Sequence, residues 1–322
     1  MLTVVDQRPD LPTLTAGLNT LLSGCTAATR PVTVIGREDN AYASSSRTEI
    51  VTCRLPDGSE RRLLCKYEDK DGQSWSDVAY EAEVYRQVLQ QCSTSVPAFY
   101  GTYRTGSTGN LWLIIEYLDG CDALAENLSD ESMIQAASWA GAFHADGEKL
   151  LSSRSLPYLK RFDAEFYEYH LRRALQSCAD GPSEFEWLQV VAQRFSEFVA
   201  PLWASRPTIS HGDFAPYNLL LRDKSIYPID WELAGIDLGE LDLAFLMDGW
   251  SDDAQQQCKL AYQQARWPNG APADFEETLV ASRLCLYVYK LGGAPNWTAD
   301  RESLWYCKQL RRVAERLGWV QG

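Results

Sequence analysis

The sequence predicts an α+β fold, in which an antiparallel sheet with one main helix is followed by a mainly helical half. Short apolar runs between residues 31 and 118 are separated by turn residues such as Asp57 and Gly58, which is typical of strands joined by hairpins. After Asp122 the apolar residues recur at helical spacing instead. The 322 residues exceed one average domain, so we expect two domains, residues 1–119 and 120–322.

The first domain is predicted to begin with an amphipathic helix and to continue with strands. Leucines at helical spacing predict the helix over residues 13–24. The elements that follow are strands at 31–35, 48–54 and 61–67, a helix with one apolar face, and strands at 98–105 and 111–118. The apolar face of the second helix consists of Val78, Ala82, Tyr85 and Leu89.

Lys66 lies in an apolar stretch of the third predicted strand. An ammonium group that faces the interior needs a partner, and the next helix offers Glu81 and Glu83. Glu81 borders the apolar face, because the residues that follow it at helical spacing are Val84, Tyr85 and Val88. We therefore choose Glu81 as the partner and expect Glu83 to be solvated. The alternative is a Lys66 side chain that points into water.

The second domain is predicted to consist mostly of helices. Ser129, Asp130 and Glu131 begin one helix with oxygen acceptors and negative charge at its N-terminus, as is favourable. His144 falls on the apolar face of this helix, so we expect a buried structural histidine. Further helical segments are predicted twice within residues 157–205, directly after 235–244, and at 273–292 and 299–318.

Residues 208–230 present two acids and an amide around one loop and one hairpin. A strand leads into His211, Gly212 and Asp213, Asn218 follows five residues after Asp213, and Asp230 ends the next apolar run. In phosphoryl transfer one carboxylate orients the attacking hydroxyl, while an amide oxygen and a second carboxylate hold magnesium ions. The set therefore favours phosphoryl transfer. The alternative is that both acids are ordinary turn residues.

The order and spacing of these residues resemble a known family. The matched residues are His211-Gly212-Asp213, Pro216, Asn218 and Leu220, then Ile229-Asp230-Trp231-Glu232, then Asp242-Leu243-Ala244. On these motifs the chain resembles the aminoglycoside phosphotransferase and choline kinase group of small-molecule kinases, which share the two-lobed protein-kinase-like fold. The resemblance in layout spans nearly the whole chain, with the N-lobe binding nucleotide and the C-lobe carrying the catalytic loop, metal site and acceptor pocket.

The resemblance implies transfer of the γ-phosphoryl of ATP or GTP to a hydroxyl of a small molecule, with Mg²⁺ as cofactor. It assigns Asp213 as the catalytic base, and Asn218 and Asp230 as magnesium ligands. Lys66, held by Glu81, is expected to bind the α- and β-phosphates. The acceptor is left open among cationic amino-alcohols, aminoglycoside-like molecules and other natural products.

Further residues are assigned by the same resemblance. His211 and Asp242 are expected to support the catalytic loop. The loop 36–46 lacks the usual glycine-rich motif, so the small residues Ser44, Ser45 and Ser46 are expected to lie over the phosphates. The end of the last N-lobe strand, with Glu116 and Leu118, is expected to form the hinge that faces the nucleotide base.

Two rivals remain from other classes of function. No Ala-Pro-Glu motif or long activation segment follows Asp230, which disfavours a protein substrate. A pseudokinase that binds nucleotide or a partner without turnover is the alternative, because fold resemblance alone does not establish function. An antibiotic kinase and a metabolic kinase are not separated by these motifs.

Composition excludes several classes of partner. The formal net charge is −14 and the basic residues occur only in short pairs, which disfavours nucleic acid and anionic membranes. The N-terminus has no signal-peptide pattern, and the apolar runs are too short to span a bilayer. Nine scattered cysteines without a Cys-x-x-Cys motif predict reduced thiols, no zinc site and a cytoplasmic location. The oligomeric state is left open.

The acidity is concentrated in one segment. Residues 223–277 contain twelve Asp or Glu and three Lys or Arg. A cleft lined by one sign of charge attracts ligands of the opposite sign, so this segment predicts an acceptor with an amine or quaternary ammonium group. The alternative is that the acids only solvate helix surfaces.

Overall fold

In the computed structural model, residues 8–22, 30–40, 47–68, 77–106, 109–178, 185–294 and 296–321 are described. The chain divides into two compact units. The first comprises Met1–Gln91, Ser95–Asp122 and Tyr227–Glu232, and the second comprises Cys92–Thr94, Ala123–Ile226 and Leu233–Gly322.

The first unit is built on a five-stranded antiparallel sheet in the order β1-β2-β3-β5-β4. Its elements are α1 (Leu11–Leu22), β1 (Thr33–Asp39), β2 (Arg47–Arg54), β3 (Glu60–Tyr67), α2 (Val78–Gln87), β4 (Phe99–Arg104) and β5 (Leu111–Glu116). Leu14 and Leu18 of α1 are fully buried in a cluster with Leu63 and Cys65 of β3. Because side chains alternate across a strand, Lys66 points to the opposite face of the sheet from α1.

The first and last predicted strands of this sheet end at other residues than the sequence predicts. The predicted first strand ends at Ile35, but β1 continues to Asp39, because its pairing with β2 resumes after a bulge at Val34 and Gly36. The predicted loop 36–46 therefore begins only after Asp39, and residues 41–46 lie outside the described residues. The last strand ends at Glu116 rather than at Leu118.

The second unit consists mainly of helices around two short strand regions. Its helices are α3 (Asp130–Ser153), α4 (Ala164–Ser177), α5 (Trp187–Ser205), α6 (Glu240–Met247), α7 (Asp252–Arg266), α8 (Phe275–Gly293) and α9 (Arg301–Arg316). The remaining strands of the chain are β6 (Asp122–Ala123), β7 (Lys160–Arg161), β8 (Pro207–Ser210), β9 (Leu219–Arg222), β10 (Ser225–Pro228) and β11 (Gly235–Leu238). An antiparallel sheet followed by a helical part confirms the predicted α+β class.

One small sheet places the loop that follows β8. β11 pairs antiparallel with β8, with Gly235 opposite Ser210, and parallel with β7. The end of β8 is therefore fixed next to the start of β11, and β11 leads directly into α6. None of the described helices is long and apolar enough to cross a membrane.

Helix α3 approaches its neighbours closely through glycines. A Cβ added at Gly141 would press on the backbone carbonyl oxygen of Tyr262 in α7 and lie 3.0 Å from the Cβ of Ala265. The close packing of α3 against α7 therefore depends on the absence of a side chain at Gly141.

Replacement of Gly141 by alanine should destabilise the protein by about 1–3 kcal/mol, because the neighbour is rigid helix backbone. Thermal unfolding measures this as a lowered Tm. The matched control is Gly293→Ala near the end of α8, where the added Cβ meets nothing within 4 Å. Equal Tm values for the two variants would contradict the packing argument.

Candidate active site

Lys66 and Glu81 form a buried ion pair in the first unit. The Nζ atom of Lys66 lies 2.8 and 2.9 Å from the two carboxylate oxygens of Glu81 on α2. It also lies 2.7 Å from Oδ1 of Asp230. Two carboxylates therefore hold one ammonium group, and one of them belongs to the segment that was predicted to bind metal.

Burial sets the charge state of this cluster. Lys66 is 5% exposed and Glu81 is fully buried. Burial alone would lower the pKa of Lys66, but the charges of Glu81 and Asp230 outweigh it and raise that pKa above its ordinary value. Lys66 is therefore charged at neutral pH. Burying charges costs several kcal/mol per ion unless they are paired and hydrogen-bonded, so the three side chains depend on one another.

The backbone around Asp230 is also constrained. Asp230 has a φ of 68°, in the left-handed region that costs a residue with a Cβ about 1–2 kcal/mol. The next residue, Trp231, is fully buried. Its backbone N–H donates to Oε1 of Glu81 at 3.4 Å, and its indole N–H donates to the carbonyl oxygen of Pro228 at 3.1 Å. These contacts hold the Asp230 carboxylate against Lys66.

In the second unit, a left-handed glycine turns the chain after β8. Gly212 has a φ of 81°. A Cβ at this position would lie 3.0 Å from the carbonyl carbon of Leu233. Conformation and space therefore both require glycine between His211 and Asp213.

Asp242 holds the backbone of this turn. Its Oδ2 accepts the backbone N–H of His211 at 2.7 Å, and its Oδ1 accepts that of Gly212 at 3.0 Å. Asp242 is the third residue of α6 and is 1% exposed. A buried N–H group without a partner costs about 1–3 kcal/mol, so one carboxylate removes two such penalties and fixes the turn.

Asp242 is itself held by a chain of buried side chains. Nε2 of His144 lies 3.0 Å from Oδ2 of Asp242, and Nδ1 of His144 lies 3.0 Å from the hydroxyl of Tyr262. Nη1 of Arg266 donates to that same hydroxyl. Burial lowers the pKa of His144, although Asp242 acts in the opposite direction. A neutral His144 therefore donates from Nε2 to Asp242 and accepts the Tyr262 hydroxyl proton at Nδ1.

Asp213 accepts hydrogen bonds from two nearby side chains. The hydroxyl of Tyr217 lies 2.8 and 2.9 Å from its two carboxylate oxygens. Nδ2 of Asn218 donates to Oδ2 at 2.9 Å and to the backbone oxygen of Asp213 at 3.0 Å. Since Nδ2 is the donor, the carbonyl oxygen of Asn218 is directed elsewhere. The arrangement shows a carboxylate that binds a hydroxyl group, beside an amide that fixes its orientation.

Glu116 and Leu118, the predicted hinge residues, lie at the end of β5 and just after it. The backbone N–H of Glu116 donates to the carbonyl oxygen of Ala98 at 2.8 Å, and its carboxylate accepts the N–H of Ala98 at 3.1 Å. Leu118 is 6% exposed. Glu116 thus ties two strands together with both of these groups. Ser44, Ser45 and Ser46 lie outside the described residues.

Sequence reasoning missed three residues of this site. Tyr217 lies inside the matched motif at a position that the motif leaves variable. Tyr262 and Arg266 lie one helical turn apart on α7, where only tertiary contact links them to His144. Arg266 also pairs with Glu148 at 2.6 Å and with Glu240 at 3.3 Å. A buried arginine on a polar helix was the available signal.

Comparison with known proteins identifies the family. The sequence profile of the phosphotransferase enzyme family (APH) matches residues 51–275. The chain belongs to the phosphotransferase enzyme family. This confirms the predicted resemblance and the predicted enzyme class, a small-molecule phosphotransferase. Among curated proteins, none matches the sequence significantly.

Solved phosphotransferase structures share the fold. The streptomycin–ATP ternary complex of APH(2")-IIa has a TM-score of 0.59 at 14% identity, covering 96% of this chain and 97% of that one. The microcompartment-associated aminopropanol kinase has a TM-score of 0.60 at 15% identity, covering 87% of this chain and 89% of that one. The amicoumacin kinase hAmiN, in complex with AMP-PNP, Ca²⁺ and amicoumacin, has a TM-score of 0.55 at 11% identity. The match covers 96% of this chain and 94% of that one. The predicted protein-kinase-like fold is thereby confirmed.

The neutral state of His144 makes the stability of this phosphotransferase pH-dependent. The folded pKa of His144 lies below its unfolded value of about 6.5, so the unfolded chain binds the proton more readily. This contribution to stability is present above the unfolded pKa and is lost as pH falls through the folded pKa.

We therefore expect wild-type Tm to fall between about pH 7.5 and about pH 5 more steeply than the Tm of His144→Gln. The measurement is thermal unfolding of both proteins across that range. At neutral pH the Tm of the variant should be lower than that of the wild type, because the substitution weakens the hydrogen bonds to Asp242 and Tyr262. Parallel Tm curves for the two proteins would show that His144 does not titrate as described.

Proposed function

We propose that this phosphotransferase moves the γ-phosphoryl of ATP, or of GTP, to a hydroxyl group of a small molecule. The observation that carries the proposal is the Asp213 carboxylate, which accepts the hydroxyl of Tyr217 with both oxygens while its backbone turn is fixed by Asp242. An acceptor hydroxyl can take the same position. Asp213 would then orient that oxygen for attack and accept its proton.

Catalysis in this proposal depends on positioning more than on the strength of the base. Phosphoryl transfer passes through a loose transition state, so catalysis consists of orientation and charge stabilisation. Asn218 holds Asp213 through two hydrogen bonds, one to its carboxylate and one to its backbone carbonyl oxygen. The reaction forms a bond from the acceptor oxygen to the γ-phosphorus, breaks the bond to the β–γ bridging oxygen, and leaves the acceptor proton on Asp213.

Lys66 is the proposed contact to the nucleotide phosphates. It is charged, buried, and fixed by Glu81, so little side-chain entropy is lost when it binds an anion. Glu116 and Leu118 are proposed to face the base through the backbone carbonyls of the segment that follows β5.

The donor set fits Mg²⁺. Among the described residues, no group of three or more His, Cys, Asp or Glu side chains is arranged to hold a metal ion. Mg²⁺ does not require one, since it is commonly bound by one or two carboxylates together with substrate phosphates. We propose the carboxylate of Asp230 and the amide oxygen of Asn218 as protein ligands. When bound, the ion neutralises charge on the phosphate oxygens.

The acids that predicted a cationic acceptor have other partners. Asp242 binds backbone N–H groups, Glu240 pairs with Arg266, and Asp237 is buried against the hydroxyl of Tyr167. Of the others, Asp274 pairs with Arg206 and Glu276 with Lys259. These five of the twelve acids therefore contact groups of the protein itself. An amine on the acceptor stays a prediction, and the counted acidity no longer supports it.

Replacement of Asp213 by asparagine should lower phosphoryl transfer by on the order of a hundredfold or more, the scale of a positioned base. ADP release with an acceptor panel measures it, and calorimetry with ATP should show nucleotide affinity within a few-fold of wild type. The matched control is Tyr217→Phe, which removes only the hydroxyl that bonds to Asp213 and should retain transfer. An Asp213→Asn enzyme with full turnover would contradict the proposed role. A wild type that binds ATP but releases no ADP with any acceptor would favour a pseudokinase.

Replacement of Asp230 by alanine should lower transfer by at least about a hundredfold at any practical magnesium concentration, because a ligand that neutralises phosphate charge contributes several kcal/mol. The measurement is a magnesium titration of ADP release. Glu60→Ala is the matched control, because Glu60 is an exposed acid of the same unit paired with Arg54. If both variants titrate like wild type, the magnesium ligand lies elsewhere.

A further inference from the structure

Helices α6 to α9 enclose a polar cleft of about 340 Å³ in the second unit. The cleft lies at the C-terminal end of α6 and along one side of α9. Its polar lining comes from four helical regions that are distant in sequence. The residues that matter below are Asp248, Asp252, Gln255, Arg283, Arg312 and Arg316.

Three arginines line this cleft without a carboxylate partner. Arg283 on α8 donates to the side-chain oxygen of Gln255, and Arg312 on α9 donates to that of Gln309 at 3.2 Å. Within the described part of the chain, neither of them nor Arg316 forms an ion pair with a carboxylate. By contrast, Arg206 and Arg266 of the same unit are both paired with acids. The cleft arginines therefore keep guanidinium groups that can bind an anion.

The two acids of the cleft do not cancel this charge. Asp248 accepts the hydroxyl of Tyr287 at 2.8 Å, and burial raises its pKa, with Arg283 acting in the opposite direction. Asp252 lies in the first turn of α7, where the helix dipole stabilises its charge. Three arginines against two aspartates leave the cleft positive in a chain whose net charge is −14.

Helix α6 joins this cleft to the loop of Asp213, because Asp242 in its first turn holds that loop and Met247 at its end lines the cleft. Tyr306 lies on α9, and its ring centroid is 5.2 Å from that of Trp305 and 6.3 Å from that of Tyr287, both of which line the cleft. Burial, and then the charge of Glu302, raises the pKa of the Tyr306 hydroxyl, and the charges of Asp248 and Asp213 add to this.

Helix geometry gives the distance between the two ends. Arg312 and Arg316 follow Tyr306 by six and ten residues on one continuous helix. At a rise of 1.5 Å per residue, the Cα atoms of Arg312 and Arg316 lie about 9 Å and about 15 Å along the axis from that of Tyr306. A molecule that reaches from Asp213 into the cleft would place its far end beside these arginines.

We propose that the acceptor carries an anionic group, a carboxylate or a phosphate, at the end remote from the hydroxyl that is phosphorylated, and that Arg283, Arg312 and Arg316 bind this group. The proposal rests on the proposed function and names the substrate class of the same enzyme. It also explains why arginines rather than lysines occupy the cleft, since a guanidinium binds a carboxylate or phosphate with two parallel hydrogen bonds.

The test compares acceptors that differ only in the charge of the remote group. The probes are ω-hydroxycarboxylates of increasing chain length, the ω-hydroxyalkyl phosphates, the ω-amino alcohols and the diols of matched length. Calorimetry measures binding, and ADP release measures transfer. The variant is the double substitution Arg312→Gln and Arg316→Gln. The control is Arg311→Gln, which removes a neighbouring arginine that pairs with Glu315.

We expect the wild type to bind anionic probes of sufficient length more tightly than their matched amino alcohols and diols. The double variant should weaken anionic binding by about tenfold or more, the scale of a charged hydrogen bond, and should leave the neutral and cationic probes unchanged. The Arg311→Gln control should behave like wild type. The carboxylate and phosphate series then show which anion is preferred.

Two results would overturn the proposal. One is a wild type that binds no anionic probe, or that binds the amino alcohols as tightly as the carboxylates. The other is an unchanged anionic affinity in the double variant. The proposed function fails in a different way, namely if no probe of any charge causes ADP release although ATP is bound.

Discussion

The carboxylate of Asp242 is the constraint on which the loop of His211, Gly212 and Asp213, the proposed catalytic loop, depends. It accepts two consecutive backbone N–H groups, those of His211 and Gly212, and contacts the fully buried His144. A carboxylate can accept several hydrogen bonds at once, whereas an amide or hydroxyl in its place would leave a donor without a partner. Asp213 lies one residue beyond these two N–H groups. The position of the proposed base is thus set by a residue that never touches the substrate.

The support continues outward from Asp242 through His144, Tyr262 and Arg266. His144, Tyr262 and Arg266 therefore link α3, α6 and α7 through hydrogen bonds between buried side chains. Arg266 is the last of these side chains, and it forms ion pairs with two acids, Glu148 and Glu240. Such a network is costly when incomplete and rigid when complete. Rigidity is what an enzyme that works by positioning requires.

In the first unit the functional side chains are held by a buried cluster of charges. Lys66, Glu81 and Asp230 concentrate three charges, and a buried ion pair of this kind is weak evidence for stability, because apolar side chains of similar volume are often as stable. The presence of this ion cluster is better explained by the proposed contact of Lys66 with the nucleotide phosphates. The cluster keeps an ammonium group charged and fixed at a cost that folding alone would not require, as expected of a site that binds phosphate.

The sequence was sufficient to predict features that depend on neighbouring residues along the chain. It was insufficient for features that depend on contacts between distant segments. Helical spacing selected Glu81 over Glu83, and the structure brings Glu81 to Lys66. The extension of β1 was missed, because a bulge is not visible in the pattern of apolar residues. The count of acids in residues 223–277 suggested a negative cleft, because their partners, such as Arg206 and Tyr167, lie far away in the sequence. The arginine cleft was missed for the same reason.

The central claim is that a phosphoryl group reaches an organic hydroxyl, and isotopic labelling tests it most directly. ATP carrying ¹⁸O on its γ-phosphoryl oxygens is incubated with enzyme, magnesium and the hydroxylated probes, and the products are analysed by mass spectrometry. The account predicts a phosphate ester that retains the labelled terminal oxygens and gains the unlabelled oxygen of the acceptor. Label found only in inorganic phosphate, or ATP left intact by a protein that binds it, would contradict the account.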